Sequence, residues 1–139
     1  MLIGEYLYNI DNKGRLCIPS NFREVLGDTF IVSKGLDNSL FVYSISEWEN
    51  FKIKIAQLEM AGARNLQRFF FSSAFEAQLD KQGRILIPQA LREYAVLSKD
   101  VVVIGVSSRV EIWDRDKWNA ISSELTADNI ATAMEKIGF

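Results

Sequence analysis

The sequence predicts a β-rich α+β fold built from two tandem copies of one small unit. Three observations carry that expectation. A motif occurs twice, apolar runs of strand length are separated by turn residues, and a short helical segment follows each of the two prolines. Ile10-Asp11-Asn12-Lys13-Gly14-Arg15-Leu16-Cys17-Ile18-Pro19 returns as Leu79-Asp80-Lys81-Gln82-Gly83-Arg84-Ile85-Leu86-Ile87-Pro88. The register continues, Phe22-Arg23-Glu24 aligning with Leu91-Arg92-Glu93. After one slipped position, Val42-Tyr43-Ser44 through Trp48 aligns with Ile112-Trp113-Asp114 through Trp118. The expected division is a first repeat with its following helix over 1–62, a connecting helix over 63–73, a second repeat over 74–125 and a C-terminal helix over 126–139.

Each repeat opens with a strand, Gly4–Ile10 or Ala74–Leu79, that runs into an Asp-x-x-Gly turn. Asp11 and Asp80 can accept backbone N–H groups ahead of them, and Gly14 and Gly83 tolerate a positive φ. A short strand follows, Arg15–Ile18 or Arg84–Ile87. It ends at Pro19 or Pro88, which cannot donate to a ladder but suits the start of a helix. Short helices are expected over Ser20–Leu26 and Gln89–Val96. Two hairpins come next: Thr29–Ser33 with Leu40–Tyr43 across Gly35-Leu36-Asp37-Asn38, and Val101–Gly105 with Val110–Trp113 across Ser107-Ser108.

Ser46-Glu47-Trp48-Glu49 reads as a capping box, with Trp48, Phe51, Ile55 and Leu58 on one helical face. A break is expected at Gly62, then a helix over Arg64–Phe71. Asp116–Leu125 and Thr126–Ile137 read as helices, the second capped by Thr126 with Ile130, Ala133, Met134 and Ile137 on one side. Ile85-Leu86-Ile87 is apolar at consecutive positions, so this strand is expected to be covered on both faces. Each repeat is too small for its own core, and the two are expected to interleave into one barrel-like unit.

Bulk properties exclude several functions. There is no histidine and one cysteine, Cys17, so an internal disulfide framework is excluded, and a Ser–His or Cys–His pair and a zinc site are out or badly handicapped. Cys17 reads as a packing residue. Glu111, Asp114 and Asp116 lack calcium-loop spacing and read as a solvated acidic face. No cofactor, no metal and no enzymatic activity is expected. Met1–Ser20 carries Glu5, Asp11, Lys13 and Arg15, so it is no signal peptide, and Val101–Val106 is too short to span a bilayer. A cytoplasmic location follows as an expectation. The formal net charge of −2 argues against nucleic acid unless the cations are gathered on one surface.

Two copies of Asp-x-x-Gly-Arg-x-x-Ile-Pro, each followed by a short helix and a hairpin, resemble the AbrB-like swapped-hairpin fold. With Arg64-Asn65-Leu66-Gln67-Arg68-Phe69-Phe70-Phe71 between the copies and Glu111-Ile112-Trp113-Asp114 near the end, the chain is similar to the MraZ family over all but its last residues. The resemblance implies a pseudo-dimeric, double-psi-like barrel with peripheral helices, assembled into a closed ring of an octamer-like size. It further implies a nucleoid-associated regulator, usually a repressor, bound to direct repeats in the promoter of the family's division and cell-wall gene cluster. The family's DNA-contacting signature falls on Asp11 and Arg15, and on Asp80 and Arg84.

The residues suit that role chemically. A two-stranded ribbon with a tight turn can enter a major groove, and arginine can bond bidentately to guanine or to phosphate. The candidate DNA-contacting residues are therefore Arg15, Arg84, Lys13, Lys81, Asn12 and Gln82. Asp11, Gly14, Pro19, Asp80, Gly83 and Pro88 are expected to shape the turns, the aspartates by bracing the arginines. Arg23 and Arg92 are open between helix-surface pairing and phosphate contact. Arg64 and Arg68 share a helical face and are expected to join repeats or subunits. Trp48, Phe51, Phe69–Phe71, Trp113 and Trp118 are expected in the core or an interface. A scaffold that gathers protein partners is the competing reading.

Overall fold

A computed structural model describes residues 1–139. It holds eight strands and six α-helices: β1 (Leu2–Asn9), β2 (Arg15–Cys17), α1 (Ser20–Leu26), β3 (Thr29–Lys34), β4 (Leu40–Tyr43), α2 (Ile45–Ala56) and α3 (Met60–Leu66). A π-helical turn at Gln67–Phe71 leads into β5 (Phe75–Gln78), β6 (Arg84–Leu86), α4 (Gln89–Tyr94), β7 (Asp100–Ser107), β8 (Val110–Asp114), α5 (Arg115–Ser122) and α6 (Ala127–Glu135). The class is α+β with antiparallel pairing throughout. No helix is long and apolar enough to cross a membrane.

The two repeats exchange strands. Six strands form one sheet in the order β1-β7-β8-β4-β3-β5, and β2 pairs with β6 in a second, two-stranded sheet. Thus β1 lies against β7, β5 against β3, β4 against β8 and β2 against β6, each pair drawing one strand from each repeat. Only β3–β4 and β7–β8 are hairpins within a repeat. The consequence is one shared core: Leu16, Ile18, Phe22 and Phe30 of the first repeat pack with Ile85, Ile87, Leu91 and Val101 of the second.

A second cluster covers the other side of β3 and β4, where Ile31, Phe41, Tyr43, Trp48 and Phe70 pack with Phe51, Phe69 and Phe71 partly buried around them. Trp113 and Trp118 form a third with Val102 and Ile104. The aromatic residues are packing residues, as expected. Phe69 and Tyr94 also flank Lys34, whose ammonium lies 5.6 and 5.1 Å from their ring centroids. Tyr94 Oη donates to Gly35 O at 2.6 Å, pinning the second repeat to the first.

Several local expectations change. The cap of α2 is Ser44, not Ser46: Ser44 Oγ accepts from Glu47 N–H at 3.2 Å. An Ile45 start places Glu47 at the third helical position, where the cap bond belongs. The break after α2 comes at 57–59 rather than at Gly62, which lies inside α3. Leu58 is therefore beyond α2 and exposed. Thr126 caps α6 as read from sequence, accepting from Asn129 N–H.

Two burial expectations are overturned. Glu111 and Asp114 are buried, not solvated. Glu111 accepts from Arg109 and from Trp113 Nε1, and Asp114 accepts from both Ser98 N–H and Ser98 Oγ. Burial raises the Asp114 pKa, but these hydrogen bonds outweigh it and leave the carboxyl below its ordinary value. Leu86 is 58% exposed although Ile85 and Ile87 are buried, so the β6 strand is covered on one face only. Strand alternation sends Leu86 to the side opposite Ile85.

Candidate nucleic-acid interface

The ribbon β2–β6 decides where the repeated motif points. Its register pairs Arg15 with Leu86, Leu16 with Ile85 and Cys17 with Arg84. Directly opposed residues share a face and neighbours along a strand alternate. Leu16 and Ile85 therefore face the core, where both are buried. Arg15, Cys17, Arg84 and Leu86 share the outward face.

This corrects the expected hairpin. The strands on either side of each turn do not pair with each other, since β1 joins β7 and β2 joins β6. The ribbon is built from one strand of each repeat, which sets the two turns at its opposite ends and brings Arg15 and Arg84 onto one face between them. The sequence motif repeats one after the other along the chain, and only the strand exchange makes it bilateral in space.

Each turn is closed by its aspartate. Asp11 Oδ1 accepts from Lys13 N–H and Arg15 N–H, both at 2.9 Å, and Asp11 Oδ2 accepts from Arg15 Nε at 2.6 Å. Asp80 repeats the pattern with Gln82 N–H, Arg84 N–H and Arg84 Nε at 2.8, 2.9 and 2.9 Å. The N–H donors of Arg15 hold the Asp11 carboxyl down at about 2. Those of Arg84 lower Asp80 in the same way. Both carboxylates are thus charged throughout the neutral range.

The aspartates occupy the Nε edge of each guanidinium. The terminal nitrogens of Arg15 have no partner in the chain, and Arg84 Nη1 makes a loose 4.0 Å approach to Asp11 Oδ2. Side-chain exposures of 35% for Arg15 and 25% for Arg84 show that neither is locked in the interior. Bracing by aspartate and availability of the outer fork coexist. Asn12, Lys13, Lys81 and Gln82 sit exposed at the turn apices. The two turns together carry Lys13, Arg15, Lys81 and Arg84 against Asp11 and Asp80, a local positive excess on an acidic chain.

Gly14 and Gly83 adopt φ of 84° and 76°, the left-handed region that glycine enters without strain. Pro19 and Pro88 are the N-caps of α1 and α4; their carbonyls accept from Phe22 and Arg23, and from Leu91 and Arg92. Arg23 and Arg92 extend from those helices to the glycine of the opposite turn, and neither forms a carboxylate pair. Arg64 and Arg68 lie exposed on the connecting segment, away from the turns and without a side-chain partner.

Leu86 and Cys17 were missed as members of this face. The signal was present: period-two alternation puts Leu86 with Arg84 and Cys17 with Arg15 once β2 and β6 are known to be short strands. What hid it was the run Ile85-Leu86-Ile87, whose uniform apolarity masks the alternation.

Comparison with known proteins gives the same duplication. A family model described as "MraZ protein, putative antitoxin-like" matches the chain twice, over residues 1–69 and 70–138. The chain is 53% identical to "Transcriptional regulator MraZ" of Acetivibrio thermocellus and 54% identical to that of Alkaliphilus metalliredigens, each alignment covering 99% of both chains. The protein of the same name from Moorella thermoacetica is 52% identical, over 99% of this chain and 96% of its own. A twofold family match and identity of this level along the full length leave one conclusion: this chain belongs to the MraZ family.

Proposed function

We propose that the chain is a transcription regulator that binds duplex DNA through the outward face of the β2–β6 ribbon. The observation that carries this reading is the convergence of both Asp-x-x-x-Arg turns on that face, with Arg84 within 4.0 Å of Asp11. Arg15 and Arg84 read base edges or grip phosphate with their outer nitrogens. Lys13 and Lys81 contact phosphate, while Asn12 and Gln82 complete the tips. Leu86 offers an apolar surface of the kind that meets a thymine methyl group.

Strand exchange between the repeats supports a duplicated swapped-hairpin barrel, with the repeats bounded at 1–62 and 74–125 and joined by 63–73. The chain acts as a closed ring of subunits, so that neighbouring turn pairs meet successive direct repeats and gain affinity through effective concentration. Its site of action is the nucleoid, its target the promoter of a division and cell-wall gene cluster, and its effect repression. The names of its relatives support the regulatory part of this reading.

The test is recovery of bound DNA from cells, beside the same protein carrying Arg15→Ala and Arg84→Ala. Enrichment of repeat-bearing promoter fragments with the parent, lost in the variant, is the expected result. Enrichment of protein partners without DNA would favour a scaffold instead.

A further inference from the structure

The turns are held from outside their own repeats. Arg92, on α4 of the second repeat, lies across Gly14 of the first; a Cβ at Gly14 would come within 2.9 Å of Arg92 Cζ. Arg92 Nε also donates to Ile87 O at 3.0 Å, while Ile87 N–H donates to Gly14 O at 2.9 Å. Arg92, Ile87 and Gly14 thus form one continuous brace. The mirror arrangement runs from α1: a Cβ at Gly83 would overlap the Arg23 guanidinium, and Ile18 N–H donates to Gly83 O at 3.0 Å. The copies differ in one respect, because Arg23 Nε is buried without a partner.

We propose that Arg92 and Arg23 are positioning residues, each holding the turn of the opposite repeat in the geometry in which Arg15 and Arg84 meet DNA. This rests on the function proposed above. Guanidinium groups suit the task because they fit close to backbone where glycine leaves no side chain, and because Nε can donate a hydrogen bond at the same time. Arg92 braces by packing and a hydrogen bond, Arg23 by packing alone. The first turn therefore depends on Arg92 more than the second depends on Arg23.

The experiment uses the full chain and two duplexes, one spanning the region upstream of its own gene and one of scrambled sequence. Arg92→Met and Arg92→Lys are compared with the parent across a salt series. Both are expected to weaken binding to the upstream duplex by about tenfold or more, comparable to losing a good bidentate base contact. Binding to scrambled duplex and the slope of log K against log salt are expected to stay at parental values. A direct phosphate contact would instead lower the slope by about 0.9 in Arg92→Met and spare Arg92→Lys, and that result overturns the proposal.

Hydrogen exchange without DNA supplies an independent readout. Arg92→Lys is expected to speed exchange of the Ile87 amide, and an unchanged rate overturns the proposal whatever DNA does. Arg15→Ala separates the two levels: if it binds as the parent does, the DNA-binding reading fails while the exchange result stands. If Arg15→Ala loses binding but both Arg92 variants keep it, the brace is refuted alone.

Discussion

Arg84 of the second repeat reaches toward Asp11 of the first, with Nη1 4.0 Å from Oδ2, although the two are far apart along the chain. That approach exists because β2 and β6 form a ribbon with Cys17 opposite Arg84. A duplicated sequence thereby yields one two-sided surface instead of two separate tips. Its chemistry depends on the aspartates as much as on the arginines, since each carboxylate fixes a guanidinium by its inner edge and leaves the outer edge for a ligand.

Acid should loosen this surface in a defined window. Asp11 has its folded-state pKa lowered to about 2, and the main cause is the Arg15 backbone N–H. A depressed pKa contributes stability above the unfolded value near 3.8, and that contribution disappears as pH falls through about 2. Asp11→Asn is expected to melt below the parent at pH 7, with the gap narrowing as pH drops from about 4 toward about 2. Thermal melts of both proteins across that range check it, and a gap independent of pH would count against it.

The repeats should not fold singly. β1, β2 and β5 each pair only with a strand of the other repeat. A fragment of residues 1–69 is expected to lack cooperative unfolding as a monomer, and to regain it on mixing with a 70–139 fragment or on pairing with itself. Near-ultraviolet circular dichroism during titration of one fragment into the other reads this directly. A cooperative melt of the monomeric fragment would show that strand exchange is dispensable.

Phe22 ties α1 to β1 within the shared core. It is fully buried and meets Tyr6 edge-on with ring centroids 5.3 Å apart. Phe22→Ala is expected to cost about 3–5 kcal/mol, the usual loss for a truncated core aromatic. Chemical denaturation measures the change. A loss under about 1 kcal/mol would mean the core closes around the gap, unlike a close-packed interior.

Glycine at the turns is required twice over. Gly14→Ala forces a side chain into a positive φ and against Arg92 at once. A loss of about 1–3 kcal/mol is expected, the range for a non-glycine residue held in that region. The single variant and Gly14→Ala with Arg92→Ala, compared by equilibrium unfolding, separate the two sources. Only the part due to crowding should be relieved by removing Arg92.

The elements and the interleaving of the two repeats were largely legible in the sequence, and the strand-by-strand pairing was not. The Asp-x-x-Gly turns, the helices after Pro19 and Pro88, and the strands Leu40–Tyr43 and Val110–Asp114 follow from local propensity and periodicity. Strand exchange follows only from tertiary packing: nothing local tells Leu2–Asn9 to join Asp100–Ser107 instead of Arg15–Cys17. The shift from Ser46 to Ser44 as the cap of α2 has a similar root, since two serines compete there and the end of β4 at Tyr43 selects the first. Asp114 looked solvated because its partner Ser98 becomes a neighbour only through the β7–β8 hairpin. The Glu111 partners Arg109 and Trp113, by contrast, lie two residues away on the same strand face, where alternation already pointed to them.

The most direct measurement is an equilibrium titration of upstream duplex with the parent and with the Arg15→Ala, Arg84→Ala double variant, repeated over a range of salt. Loss of sequence-selective binding is expected, with a slope of log K against log salt shallower by about 0.9 for each phosphate contact removed. The double variant should keep the parent's melting behaviour and assembly state. Equal affinity and equal slope in the two proteins would contradict the claim that the paired arginine turns are where this chain meets DNA.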